Sequence, residues 1–139
     1  MSDAGEAAPR VLYPSGWVPP VGYSHGMVAR GRVVCAAGQV GWDPTTADFT
    51  SDDFTEQCAQ ALRNVLMVLQ AAGAGPEHLV RLTWYVLDAA EYHAARPVLG
   101  GVYREIVGRH YPAMSVVVVK GLLEPRAKVE IEATAVVPD

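Results

Sequence analysis

Tyr111-Pro112-Ala113-Met114-Ser115, the four valines Val116 to Val119, and then Lys128-Val129-Glu130-Ile131-Glu132-Ala133 form the stretch that decides the fold. Two β-type apolar runs stand here with a proline opening the pair, and acidic residues occupy alternate positions of the second. Side chains alternate along a strand, so Glu130 and Glu132 must share one sheet face. Two like charges beside apolar surface are costly unless solvent, a cation or a substrate meets them.

Working outward, the chain has 139 residues, the length of one domain that buries roughly two-thirds of its unfolded surface. Half of the residues are hydrophobic and 19% are charged, which suits a packed globule and argues against disorder. Val116 to Val119 is far too short to span a membrane. The start, Met1-Ser2-Asp3-Ala4-Gly5-Glu6, is acidic and polar, unlike a secretory signal, so a cytoplasmic location is the expectation. Cys35 and Cys58 lack metal-ligand spacing and read as two buried free thiols. His78, His93 and His110 read as surface positions without metal spacing. Without such spacing no metal is expected, nor is a cofactor, and no segment resembles a phosphate loop, a nucleophile elbow or a catalytic triad. A net charge of −4 gives no broad grip on nucleic acid, and none is expected as a partner.

Residues 1–20 hold four of the ten prolines and read as an extended arm before a single domain over 21–139. Ser24 to Val40 contains two strand-like runs joined at Arg30-Gly31-Arg32, which predicts a hairpin. Asp43-Pro44-Thr45-Thr46 is a turn. From Asp53 to Ala72 the period becomes helical: Phe54, Cys58, Ala61, Leu62, Val65, Leu66 and Leu69 form one apolar stripe. Ser51, Asp52 and Asp53 cap its start and Gly73 stops it. Leu79 to Asp88 predicts a strand whose odd members are the more polar. A second helix is expected from about Ala89 to Gly108, interrupted near Pro97 and Gly100-Gly101.

The order β-β-α-β-α-β-β predicts an α+β fold: one mixed sheet with two helices packed on one face. Two helices cannot cover both faces, so the free face calls for an oligomer.

The segments Tyr23-Ser24-His25-Gly26, Ala37-Gly38-Gln39-Val40, Gln57 with Ala61-Leu62-Arg63-Asn64-Val65, Ala71-Ala72-Gly73, Tyr111-Pro112-Ala113 and Val129-Glu130-Ile131-Glu132-Ala133 follow one another in a telling order. Together they resemble the YjgF/RidA family of small trimeric proteins, whose best-known members are imine/enamine deaminases. The resemblance implies a chorismate-mutase-like fold, a homotrimer around a barrel-like centre, and a small-molecule ligand in each of three clefts between subunits. It maps the family's water-positioning glutamate onto Glu130 and a cleft tyrosine onto Tyr23. A cleft serine or threonine before Gly-Gln becomes Ala37 here. The carboxylate-clamping arginine after Pro-Ala is replaced by Met114.

A guanidinium grips a carboxylate with two charge-assisted bonds, and a thioether offers neither charge nor donors. Losing such a grip in a desolvated site costs ~2–5 kcal/mol. Met114 either fills core space or lines a cleft for an apolar ligand. Ser115, Trp42, Ala37 and Tyr23 complete the candidate ligand-contacting set, with Glu130 as the catalytic candidate. Trp42, like Trp17, can equally pack at a subunit boundary. Glu132 reads as structural, paired with a base such as Lys128. Arg32, Lys120 and Arg126 are the candidates to replace the lost cation. The resemblance implies deamination of an enamine or imine other than the small 2-imino acids, with aminomuconate-type compounds as one class. A non-catalytic metabolite-binding trimer is the rival reading, and the ribonuclease activity attached to the family's name comes last on charge grounds.

Overall fold

The computed structural model describes residues 8–139, and the acidic start of the chain, with the first part of the proposed arm, lies outside the described residues. The strands are β1 (Arg10–Leu12), β2 (Gly26–Val28), β3 (Arg32–Val40), β4 (Leu79–Val86), β5 (Ala113–Val118) and β6 (Val129–Val137). Two helices, α1 (Phe54–Gln70) and α2 (Ala89–Ile106), follow β3 and β4, and a 3₁₀ turn at Pro76–His78 leads into β4. The fold is α+β, as the period changes along the chain predict.

Each helix starts where a carboxylate can satisfy free backbone N–H groups. The Asp53 side chain accepts from Glu56 N at 2.9 Å, and Asp88 accepts from Ala90 N at 2.8 Å. After α1 the chain turns at Gly73, whose φ of +74° favours glycine. The second helix runs unbroken through Pro97, against the expected interruption. His93 and Pro97 are both exposed, so the carbonyl that proline leaves unpaired can reach water, while Leu99 and Tyr103 anchor the opposite side in the core.

Four strands form a mixed sheet in the order β3-β6-β4-β5, with β5 parallel to β4 and β6 antiparallel to both of its neighbours. The expected hairpin between the runs flanking Arg30-Gly31-Arg32 does not form. Instead β2 pairs with β1 in a separate two-stranded sheet, Arg10 opposite Val28 and Leu12 opposite Gly26. The chain is redirected at Gly31, with φ +146°, where a Cβ would stand 2.1 Å from the Val137 carbonyl oxygen. Only glycine allows the end of β6 to approach so closely.

The core lies between the helices and one sheet face. Leu62, Val65 and Leu69 of α1 meet Leu82, Val86, Ile131 and Ala133 of the sheet. Two buried polar side chains of α1 fasten the neighbouring loops. Gln57, 1% exposed, donates to Ser51 O (3.0 Å) and Arg126 O (3.1 Å) and accepts from Lys128 N (2.8 Å). Asn64 donates to Val40 O (3.1 Å) and Trp42 O (2.9 Å). Of the two cysteines only Cys58 is buried; Cys35 is exposed, because Ala36 takes the core side of β3 and alternation turns Cys35 outward. Both thiols are free.

Candidate functional site

Register divides the candidate residues between the two faces of the sheet. Met114 stands opposite Leu82 and Val116 opposite Trp84, so these side chains share the helix-bearing face. Ser115 pairs with Thr83, which in turn stands opposite Glu132, and Tyr85 stands opposite Glu130. Those residues share the other face, which no helix covers.

On the helix side, a cavity of about 450 Å³ lies between β4, β5, α2 and the segment before β2. Tyr23 reaches it because Ser24 is stitched to the start of β5: Ser24 N donates to Pro112 O at 3.0 Å and Ser24 Oγ to Tyr111 O. Tyr23 also meets His25 edge-on, ring centroids 5.5 Å apart, so the two do share a face. Met114, Tyr103 and Tyr111 line the cavity, and the rings of Tyr103 and Tyr111 stack at 5.4 Å. Burial holds the Tyr103 phenol well above its ordinary range, and its hydroxyl donates to His110 O at 2.7 Å. His110, half-buried, bonds Leu79 O through Nε2 at 2.7 Å, and half-buried His78 accepts from Gly75 N at 2.9 Å. Both are fastened structural positions, where the sequence suggested surface ones.

On the open face, Glu130 lies over Gly38. A Cβ on Gly38 would stand 2.5 Å from Glu130 Oε2. The register of β3 and β6 slips between Ala36 and Gln39, so Ala37 and Gly38 form an irregularity beside this carboxylate. Glu132 accepts from the Tyr85 hydroxyl at 2.6 Å rather than pairing with Lys128. That hydrogen bond, more than burial, raises the Tyr85 pKa, and the charge of Arg81 opposes it. Lys128 instead meets Glu91 of α2 at 3.7 Å.

None of the three residues considered as replacements for the missing cation lines this cavity. Arg126 is held at the start of α1 by Asp52 (2.9 Å), by Phe49 O (3.1 Å) and by the Phe49 ring. Neither Arg32 nor Lys120 lines the cavity, whereas Arg96 and Arg104 of α2 do. Positions 92, 96, 100 and 104 recur every four residues and so lie along one helix face. The four-residue spacing of Arg96 and Arg104 is legible in the sequence once the helix is read as continuous. Trp42 is half-buried against Phe49 at 5.9 Å, in the loop after β3 and away from Met114.

Known proteins agree with this architecture. A crystal structure of a Rid family protein from Yersinia pestis superposes with a TM-score of 0.81 at 34% identity, covering 94% of this chain and 99% of that one. Escherichia coli TdcF, solved with bound serine, gives a TM-score of 0.65 at 28% identity, with 92% and 98% covered. The fold is therefore that of the Rid proteins. A human protein named 2-iminobutanoate/2-iminopropanoate deaminase is 28% identical over 76% of this chain and 73% of its own length. A RutC family protein of Synechocystis is 33% identical over 86% and 89% of the two chains. The family profile described as Endoribonuclease L-PSP matches residues 15–137. The chain belongs to this YjgF/RidA family.

Proposed function

We propose that this chain is a Rid-type deaminase that hydrolyses an enamine or imine other than the small 2-imino acids, working as a homotrimer with ligand clefts between subunits. One observation carries the reading: Glu130 presents its carboxylate over the glycine of the β3 irregularity, on the sheet face that the helices leave open. A carboxylate so placed can hold a water, take a proton as that water adds to the C=N carbon, and return it to the departing ammonia. The open face also exposes Val33 (66%) and Val117 (41%), apolar area that a second and third copy would cover. Human and goat relatives named as 2-iminobutanoate/2-iminopropanoate deaminases support the reaction class.

Substrate choice follows from Met114. Without a guanidinium at that position, 2-aminoacrylate generated in situ by a dehydratase is expected to be deaminated weakly or not at all. Ammonia release is the measurement. A rate equal to that of arginine-containing relatives would overturn the substrate restriction, and Met114→Arg is expected to raise the rate. Should no enamine or imine be turned over, aminomuconate-type compounds included, the deaminase reading fails and a non-catalytic ligand-binding trimer takes its place. That second reading is favoured by the separation of Met114 from Glu130 onto opposite sheet faces of one subunit.

A further inference from the structure

Trp84 is only 4% exposed, yet its indole Nε1 has no hydrogen-bond partner, the one such buried side-chain donor among the described residues. An orphaned buried N–H costs its full desolvation, so a position where one persists calls for a partner that arrives from outside. Trp84 lies in the middle of the sheet, between Ile131 of β6 and Val116 of β5, and it lines the cavity under α2. Solvent does not complete the donor, because the nitrogen itself is buried. Met114 stands opposite Leu82, diagonal to Trp84 on the same face. Its unbranched thioether changes rotamer easily, so a ligand that enters beside Met114 can reach the indole edge.

The surroundings of Trp84 also fix the kind of partner. Charge reaches this cavity only from Arg96 and Arg104, and both are exposed. Around the indole the walls are neutral: Tyr92 meets Trp84 edge-on at 6.5 Å, and burial pushes the Tyr92 phenol up. A lone neutral N–H does not compensate a buried carboxylate, so the acceptor that suits this position is uncharged.

We propose that Trp84 determines ligand specificity: its indole N–H donates to an uncharged carbonyl oxygen in the body of the substrate, selecting such molecules over hydrocarbon ones of the same shape. The inference rests on the reading that the substrate enters the cavity beside Met114. Indole donates and does not accept, and a carbonyl presents its lone pairs without ordering a hydroxyl rotor. A ligand lacking that oxygen would cover the N–H and leave it unpaired, the arrangement by which polar sites discriminate most sharply.

The test uses the full chain with its tryptophans labelled at the indole nitrogen, titrated with acetophenone and with α-methylstyrene, which carries a methylene in place of the carbonyl oxygen. The Trp84 resonance is assigned by elimination with Trp17→Phe and Trp42→Phe. Acetophenone is expected to bind at least about tenfold more tightly than α-methylstyrene and to move the Trp84 N–H resonance downfield. Trp84→Phe, which keeps a ring and removes the donor, is expected to bind the two probes alike. Should that variant melt early, the resonance shift in the parent decides. Equal binding of the probes by the parent, no binding of either, an unmoved Trp84 resonance, or a preference that survives in a folded Trp84→Phe would overturn the proposal. Glu130→Gln is expected to keep the acetophenone preference even where it stops ammonia release. Failure of the Trp84 role and failure of the deaminase reading therefore appear in different measurements.

Discussion

The Tyr85 hydroxyl donates to Glu132 Oε1 at 2.6 Å across β4 and β6, which engages one of the two glutamates on the open sheet face and leaves Glu130 to the neighbouring glycine. The two carboxylates are two residues apart and on one face, yet they have different surroundings. Glu132 is tied to its own sheet; Glu130 stands where a ligand or a water can reach it.

Glu130→Gln is expected to abolish turnover of an identified substrate while leaving the melting temperature almost unchanged, since an amide keeps the shape but accepts no proton at neutral pH. Glu132→Gln is expected to do the reverse, retaining activity and lowering Tm by roughly 2–6 °C through the weakened Tyr85 bond. Thermal melts and ammonia release on both variants decide it. Full activity in Glu130→Gln would reverse the roles.

Gly38→Ala places a methyl group against the Glu130 carboxylate, 2.5 Å from Oε2 before relaxation. The side chain can swing away, so the fold survives, but the carboxylate leaves its position. Activity is expected to fall as far as in Glu130→Gln, with circular dichroism unchanged. Unaltered kcat/KM in Gly38→Ala would separate Glu130's position from catalysis.

The raised Tyr85 pKa has a definite pH consequence. Folding favours the neutral phenol, so its contribution is complete below about pH 10, the unfolded phenol range, and disappears as pH rises through the higher folded value. A phenolate absorbance titration of the parent minus Tyr85→Phe should show this late step. Glu132→Gln, which removes the charged acceptor, should move the step back toward the ordinary range.

Gln57→Leu is expected to destabilise the chain by about 2–4 kcal/mol, because Ser51 O, Arg126 O and Lys128 N lose one shared partner. Urea denaturation reads the change. A shift smaller than in an exposed control such as Gln70→Leu would show that those loops are held by other contacts.

Light scattering at micromolar concentration is expected to give about three times the 14.9 kDa mass of one chain. A stable interface of this kind should bury well over ~1,000 Å² between neighbours. A mass near one chain would remove the proposed clefts between subunits.

Much of the fold is legible in the sequence because it rests on local periodicity. The Phe54–Leu69 stripe, the Asp53 cap and the Gly73 stop define α1 within a residue or two. Alternation alone places Glu130 and Glu132 on one face, and β6 keeps that register opposite Tyr85 and Thr83. Pairing is another matter. Nothing local distinguishes β2 turning back onto β3 from β2 pairing with β1, and the close approach of Val137 to Gly31 belongs to residues more than a hundred positions apart. Pro97 and the glycine pair carry unfavourable helix propensity, which the buried Leu99 and Tyr103 override.

The sequence by itself determined the α+β order, the helix limits, the shared face of the two glutamates and the loss of the arginine at Met114. The tertiary structure decided which groups actually meet. It bonds Glu132 to Tyr85, sets Glu130 over Gly38, turns Met114 to the face opposite Glu130, and brings Arg96 and Arg104 to the cavity that Met114 lines. The physical reason is the range of the forces involved. Periodicity and capping act within a few residues and can be read along the chain, whereas hydrogen bonds, ion pairs and ring contacts need a few ångströms between atoms that only the packing of β4, β5, β6 and α2 supplies.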